Sequence, residues 1–330
     1  MKTNLDFIYI LGLAICLASC TKNTDQMDMG KYVTVSLSPS AIGVEEEPMS
    51  RASESSDVYG INIYYSSNGS DYSNVYAYGL FDNIEDMTVS LLTGYYYKFV
   101  CSMVKNGKST LYNSSDVFYY PFQNNSQLYT ILDNKFVTGG SVYLTGLASG
   151  NAHLIGGGAP TETNYETTPG LDRYYGETTN YQPITGGSVD ITLKRAVYGV
   201  KFIVNGMSDG IGNLSVSCPG VSLMTSKNCE TDAVVRSFDN LRTCWSSGQA
   251  TLPVNISYSM KGLEWVGDDG SLEWNENVVF KRNYLTTVTI NVSFPKGKIE
   301  FNLEETLLDE NEIDLGIGNN GFIDIVVNPS

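Results

Sequence analysis

Histidine is nearly missing from this chain: its 330 residues include one, His153. A metal site built on several imidazoles is thereby excluded. A Ser/His/Asp triad would have to use His153, which lies in a glycine-rich stretch with nothing around it to support that role, so it reads as a loop histidine. No C-x-x-C spacing and no Cys/His cluster exists, so neither a metal nor another cofactor is expected. The chain also lacks a G-x-S-x-G elbow and a P-loop. Basic residues are scarce: 20 Lys and Arg stand against 36 Asp and Glu, a formal net charge of −16. Such a surface repels phosphate backbones, so nucleic acid is not an expected partner.

Long hydrophobic runs are missing too. The longest is Phe7 to Leu17, too short for a membrane-spanning helix, which needs about 20 apolar residues. It follows Lys2 and precedes Leu17-Ala18-Ser19-Cys20. The order of basic, apolar and small residues suits a signal peptide, residues 1–19. The ending resembles the lipobox of bacterial lipoproteins, in which cleavage precedes a cysteine that then carries the lipid, here Cys20. Acyl chains hold a protein to a bilayer through roughly 0.8 kcal/mol per buried CH₂. The expected location is the outer membrane or cell surface, with lipid anchoring at least transient.

What the chain has in plenty is Tyr (23 residues), Gly (32 residues), Asn, Ser and Thr. That balance suits strands with hydroxylated faces joined by polar turns. Val33, Val35 and Leu37 alternate with polar residues and read as a half-buried strand. Tyr59 to Tyr65 is a second strand, with a turn at Asn68-Gly69. Met87 to Leu92 and Tyr95 to Val104 flank Thr93-Gly94 and read as a hairpin. Gly139 to Ser188 is rich in Gly, Thr, Asn and Tyr and is expected to form long loops with short strands. Regular alternation resumes at Val189, Ile191 and Leu193 and continues to Phe322–Val327, with a helical pattern only at Glu304 to Glu312. Strands at such spacing indicate an all-β chain of sandwiches. The expected division is a tether and strand over 20–51, an N-terminal sandwich over 52–190 and a C-terminal sandwich over 191–330.

Cysteine usage fits an oxidising compartment. Beyond Cys16 and Cys20 the chain has Cys101, Cys218, Cys229 and Cys244. Cys101 lies in an apolar strand and reads as a buried free thiol. The last three leave one disulfide open, with no pairing specified.

Several short matches to catalytic or binding motifs carry blander readings. Gly316 to Gly321 matches G-x-G-x-x-G, but a strand-like run follows where a dinucleotide site needs a helix. Ser102 to Lys105 matches S-x-x-K, yet in a strand positions three apart face opposite sides. Asp309, Glu310, Glu312 and Asp314 lack EF-hand spacing and read as solvated surface. No catalytic residue is assigned, and the chain reads as a non-enzyme.

The stronger pattern concerns assembly. Arg51 follows an acidic loop (Glu45, Glu46, Glu47) and Pro48, 31 residues after Cys20, where a trypsin-like protease reaches easily. Cutting between Arg51 and Ala52 would remove the strand of Val33, Val35 and Leu37 together with the lipid. The gap could be filled by another chain's strand. The terminal segment offers one: Phe322, Ile323, Ile325 and Val327, the last three on one face. Leu193-Lys194-Arg195-Ala196-Val197-Tyr198-Gly199-Val200-Lys201-Phe202 and Phe280-Lys281-Arg282-Asn283-Tyr284, with the lipobox and Arg51, resemble the fimbrillin-type lipoproteins of Bacteroidales, the subunits of type V pili. The resemblance implies two β-sandwich domains of transthyretin-like, fimbrillin type. It also implies lipoprotein export, arginine-specific maturation, donor-strand polymerisation with other pilus subunits, and a role in adhesion. An anchor or accessory subunit that keeps its lipid is the alternative within that family. A surface glycan-binding lipoprotein using Trp245, Trp265 and Trp274 as stacking platforms, with a host or glycan ligand, is the alternative outside it.

Overall fold

A computed structural model describes residues 30–42, 56–207, 212–260, 271–293, 298–308 and 324–326. The all-β reading holds. The first part contributes β1 (Tyr32–Ile42), β2 (Val58–Ser66), β3 (Asn74–Phe81), β4 (Thr88–Leu92) and β5 (Tyr96–Val104). An excursion follows, with a small sheet of β6 (Asn113–Ser114), β7 (Val117–Phe118) and β8 (Thr130–Ile131). Then come β9 (Lys135–Thr138), β10 (Arg173–Tyr181) and β11 (Ser188–Arg195). These, without the small sheet, form one eight-stranded sheet ordered β4-β1-β11-β10-β5-β2-β3-β9.

That sheet folds over on itself. Val33, Val35 and Leu37 of β1, Val89 and Leu91 of β4, and Val189, Ile191 and Leu193 of β11 form one arm of a buried cluster. Tyr59, Ile61 and Ile63 of β2, with Phe99, Cys101 and Met103 of β5, form the other. Period-two alternation in every strand supplies this common apolar face. The arms also meet at their rims, where the Tyr97 hydroxyl bonds both Leu92 N and Leu92 O at 3.0 Å.

β2 is buried on both faces. Its outward side lies under the excursion, where Asn62 and the Leu144 backbone bond each other twice, at 2.8 and 2.9 Å. At Gly60 any Cβ would come within 2.7 Å of Leu147 and Phe122. His153 sits inside the excursion at 4% exposure. Its Nδ1 accepts from Tyr120 N–H at 3.2 Å, its Nε2 lies 3.1 Å from Asn164 Oδ1, and its ring touches Tyr119, Tyr120 and Tyr165. It is a loop histidine, as expected, but a buried one, and burial lowers its pKa.

The second half holds β12 (Val197–Asn205), β13 (Gly212–Cys218), β14 (Val221–Thr225), β15 (Cys229–Glu230) and β16 (Val234–Ser237). It continues with β17 (Gln249–Met260), β18 (Ser271–Lys281), β19 (Tyr284–Ser293), β20 (Lys298–Leu307) and β21 (Asp324–Val326). One sheet runs β15-β12-β19-β20, with β16 also on β12; the other runs β18-β17-β13-β14-β21. Val200, Phe202, Val204, Val288 and Ile290 of the first sheet share a core with Leu214, Val216, Val254, Ile256 and Phe280 of the second. The same cluster continues through Phe122, Leu144 and Leu147 of the excursion, so apolar packing is unbroken between the halves.

Three expectations need correction. β4 and β5 are not a hairpin: β4 pairs with β1, while β5 lies between β10 and β2. The stretch from Gly139 to Ser188 contains β10, nine residues long and central in the first sheet. The described part of the expected helix at Glu304–Glu312 is strand through Leu307, paired along β19. The four described cysteines are all free thiols, Cys101 among them as expected. The chain leaves the first sheet at Arg195 and enters the next at Val197.

Charged groups are buried at that crossing. Arg195 pairs with Asp172 at 2.7 Å, both almost fully buried. Arg173 next to it is fully buried and donates to Ser102 Oγ at 3.0 Å and to the Gly150 and Asn151 carbonyls at 3.5 Å. Burial pulls its pKa down to about 9. A guanidinium remains charged at neutral pH all the same.

Two expectations follow for stability. Asp172→Asn takes the ion-pair partner from a buried arginine and should cost about 3–5 kcal/mol in urea unfolding. Arg173→Met replaces a buried cation that has no carboxylate partner among the described residues, and should change stability by less than ~1 kcal/mol or raise it. The pH dependence has a definite sign at His153. Its folded pKa lies below the unfolded value of about 6.5, so the unfolded chain binds its proton first. Stability should therefore fall as pH drops below ~6.5, and His153→Phe should flatten that part of the curve.

Candidate assembly site

β1 is the piece on which the sequence pattern converges, and its seat can be built residue by residue. Odd positions point inward: Val33 is 6% exposed, Val35 0% and Leu37 2%. Tyr32, Thr34 and Ser36 face solvent. Main-chain pairing is staggered. Tyr32–Ser36 run antiparallel to β4, from Tyr32↔Leu92 to Ser36↔Thr88. Ser36–Ile42 run parallel to β11, from Ser36↔Ser188 to Ile42↔Lys194.

The joint between the two registers shows why the stagger works. Ser36 N–H donates to Gly187 O on the β11 side, and Leu37 N–H donates to Met87 O at 2.8 Å on the β4 side. Alternation then points the nitrogen of Pro39 to the β4 side, beyond the last β4 pair, where a missing donor deprives no neighbour. The start of the strand is clamped to the β4–β5 turn: Thr93 N–H donates to Lys31 O at 2.9 Å, and Lys31 N–H to Thr93 Oγ1 at 3.1 Å.

β1 is the only strand with which β4 pairs among the described residues. Its loss would strip the β4 backbone of partners and open a slot lined by Val89, Leu91, Val189, Ile191 and Leu193. Each of the three inward side chains contributes about 2 kcal/mol of burial. Their sum is comparable to the whole stability of a marginal domain, about 5–15 kcal/mol. Only a strand with the same alternation restores it, lying antiparallel to β4 and parallel to β11.

Cys20, Arg51, Ala52, Phe322, Ile323 and Val327 lie outside the described residues, as do the Gly316–Gly321 run, the acidic cluster from Asp309 and Trp265. Ile325 lies in β21, whose backbone pairs in parallel with β14, Leu223↔Ile325. Trp245 and Trp274 are partly buried against the core, Trp245 with its ring 6.1 Å from that of Tyr175. Ser102 is buried with its hydroxyl bonded to Tyr174 O. Burial raises the pKa of Cys218 and Cys244 to about 12, and that of Cys101 further. Among the described residues no group of three or more His, Cys, Asp or Glu is placed to hold a metal ion. The sequence locates β1 and both neighbouring strands but not their pairing with β1: β4 is assigned to a hairpin with β5, and β11 straddles the expected boundary at 190.

No protein family and no curated protein matches the chain. Solved structures do resemble it. One is a "putative adhesin" of Bacteroides thetaiotaomicron, 11% identical over 85% of this chain and 99% of that one, with a TM-score of 0.36. Another is the tip fimbrial protein Mfa3 of Porphyromonas gingivalis with C-terminal truncation, 11% identical over 84% and 100%, with a TM-score of 0.30. A fimbrial assembly protein of Parabacteroides distasonis is 12% identical over 84% and 99%, with a TM-score of 0.31.

The burial pattern of β1 makes a direct expectation. Leu37→Ala should lower stability by about 2–5 kcal/mol, and Thr34→Ala on the outward face by less than ~0.5 kcal/mol, read from urea midpoints.

Proposed function

We propose that this chain is a structural subunit of a cell-surface fimbrium, exported as a lipoprotein through Cys20 and joined to its neighbours by strand exchange. The observation that carries the reading is the seat of β1. A strand with one apolar face, paired on both edges, is joined covalently to β2 and all that follows through the link between Ile42 and Val58. Arg51 and Ala52 lie in that link, so one cut there would free the strand without touching any other element. The open slot would then accept an alternating strand from another subunit, and Ile323, Ile325 and Val327 have that pattern. Export through the lipid at Cys20 places the unexchanged form at the outer membrane, and exchange moves it into the fibre.

A second reading, a membrane-retained anchor or accessory subunit, is favoured by the completeness of the β1 pairing. With both neighbours satisfied, the strand can serve as a permanent part of the sheet. The two readings differ in the amino terminus they leave.

N-terminal sequencing of surface-sheared material should return Ala52 for a fibre subunit; a blocked, acylated Cys20 confined to membranes indicates the anchor. Deleting Phe322–Ser330 should leave a folded monomer that forms no fibres, and fibres of normal length from that truncation would refute strand donation. Cys20→Ala should shift the protein from the membrane fraction to the soluble fraction.

A further inference from the structure

A second site lies at the rim of the first sandwich, where β1 begins. The cavity has a volume of about 630 Å³ and is walled chiefly by tyrosines: Tyr32, Tyr65, Tyr76, Tyr95 and Tyr97. Such a volume falls within the range of small-ligand sites, ~300–1,000 Å³. The rings come from β1, β2, β3, β5 and the β4–β5 turn, so the fold-over of the sheet gathers them.

Their arrangement is a chain of edge-to-face contacts. Tyr95 meets Tyr65 at 5.6 Å and 84°, Tyr65 meets Tyr76 at 6.2 Å and 78°, and Tyr76 meets Tyr97 at 5.2 Å and 88°. Edge-to-face pairing fixes the rings but leaves faces that a stacked pair would cover. The inner hydroxyls are spoken for: Tyr97 bonds Leu92, and Tyr76 donates to Ser90 O. The hydroxyls of Tyr32, Tyr65 and Tyr95 make no hydrogen bond to any described residue. The wall therefore offers apolar faces beside free donors and acceptors, and no charged side chain lines it among the described residues.

The geometry points to a binding site for a neutral saccharide of about two rings. A pyranose presents an apolar C–H face that stacks on an aromatic ring, and equatorial hydroxyls that bond phenols at its edge. Anionic, cationic and wholly apolar ligands fit the wall less well. A carboxylate or phosphate would find no cation. An ammonium needs several ring faces converging on one point within about 6 Å, whereas these rings turn their edges to one another. A wholly apolar side chain would leave three phenol hydroxyls dry. The site does not rest on the strand-exchange reading, since four of its five rings come from outside β1.

The test is ligand-observed NMR on the purified full chain with cellobiose, lactose, maltose and N,N′-diacetylchitobiose. Choline and a peptide of residues 322–330 serve as competing probes. At least one disaccharide should bind, and Tyr95→Ala or Tyr65→Ala should weaken it about tenfold, a loss matching one stacking partner. Tyr95→Phe, which keeps the ring, should retain most of the affinity and covers the case in which an alanine variant does not fold. The inference is overturned if no disaccharide binds, if the variants leave binding unchanged, or if choline or the peptide takes the cavity in preference.

Discussion

β1 completes the first sheet by pairing with two strands that do not pair with each other. Along its first half it satisfies β4, and along its second half β11, with Ser36 common to both registers. The odd residues meanwhile plug the fold-over between the two arms of the sheet. Backbone pairing and apolar burial thus fall on the same few residues. A backbone group left unpaired in a buried site loses about the free energy of a hydrogen bond, so β4 has little to hold it without β1. The rest of the sheet is better supported. β11 keeps β10, and β10 keeps β5, so the slot has firm walls on the side where a replacement would have to dock.

The crossing into the second half, at the end of β11, is held differently. Asp172, Arg173 and Arg195 bring charge into a junction from which water is excluded. Such groups add little net stability, but their partners are few and directional. Arg173 reaches Ser102 on β5 and the backbone at Gly150 and Asn151, so it fixes the excursion against the sheet. The contiguous core through Phe122, Tyr198 and Phe280 then makes the excursion the packing between the halves.

Legibility followed the range of the forces involved. Alternation at Val33, Val35 and Leu37 and at Val189, Ile191 and Leu193 reports burial of one face, a local property, and it is visible in the residues themselves. Which strands pair is not local. Met87–Leu92 and Tyr95–Val104 carry turn residues between them and look like a hairpin, yet the turn at Thr93-Gly94 carries the chain across the sandwich instead. β10 escaped notice because Arg173, Gly176, Glu177 and Thr178 break the apolar pattern, and its partners bury it regardless. Glu304 and Glu305 favour helix in isolation, but an edge position beside β19 suits charged residues in a strand. The burial of the loop residue His153 is not legible because its shell of tyrosines lies at scattered positions from Tyr119 to Tyr165. The tyrosine cavity was hidden in the same way, its walls coming from five separate segments.

The slot also limits what could replace β1. Its floor accepts alternate side chains only, and the opposite face of the strand is wet at Thr34 and Ser36. A terminal segment that placed Ile323, Ile325 and Val327 on the floor would turn Asp324 to the wet face, because neighbouring strand residues point to opposite sides. A slip of one residue reverses every side chain. It would press the Asp324 carboxylate into a core of Val, Leu and Ile with no cation to meet it, at a cost of several kcal/mol. One acidic residue in an otherwise apolar strand is thus enough to set register without any contribution to affinity. Direction is set independently by the two neighbours of β1, since only one orientation is antiparallel to β4 and parallel to β11 together.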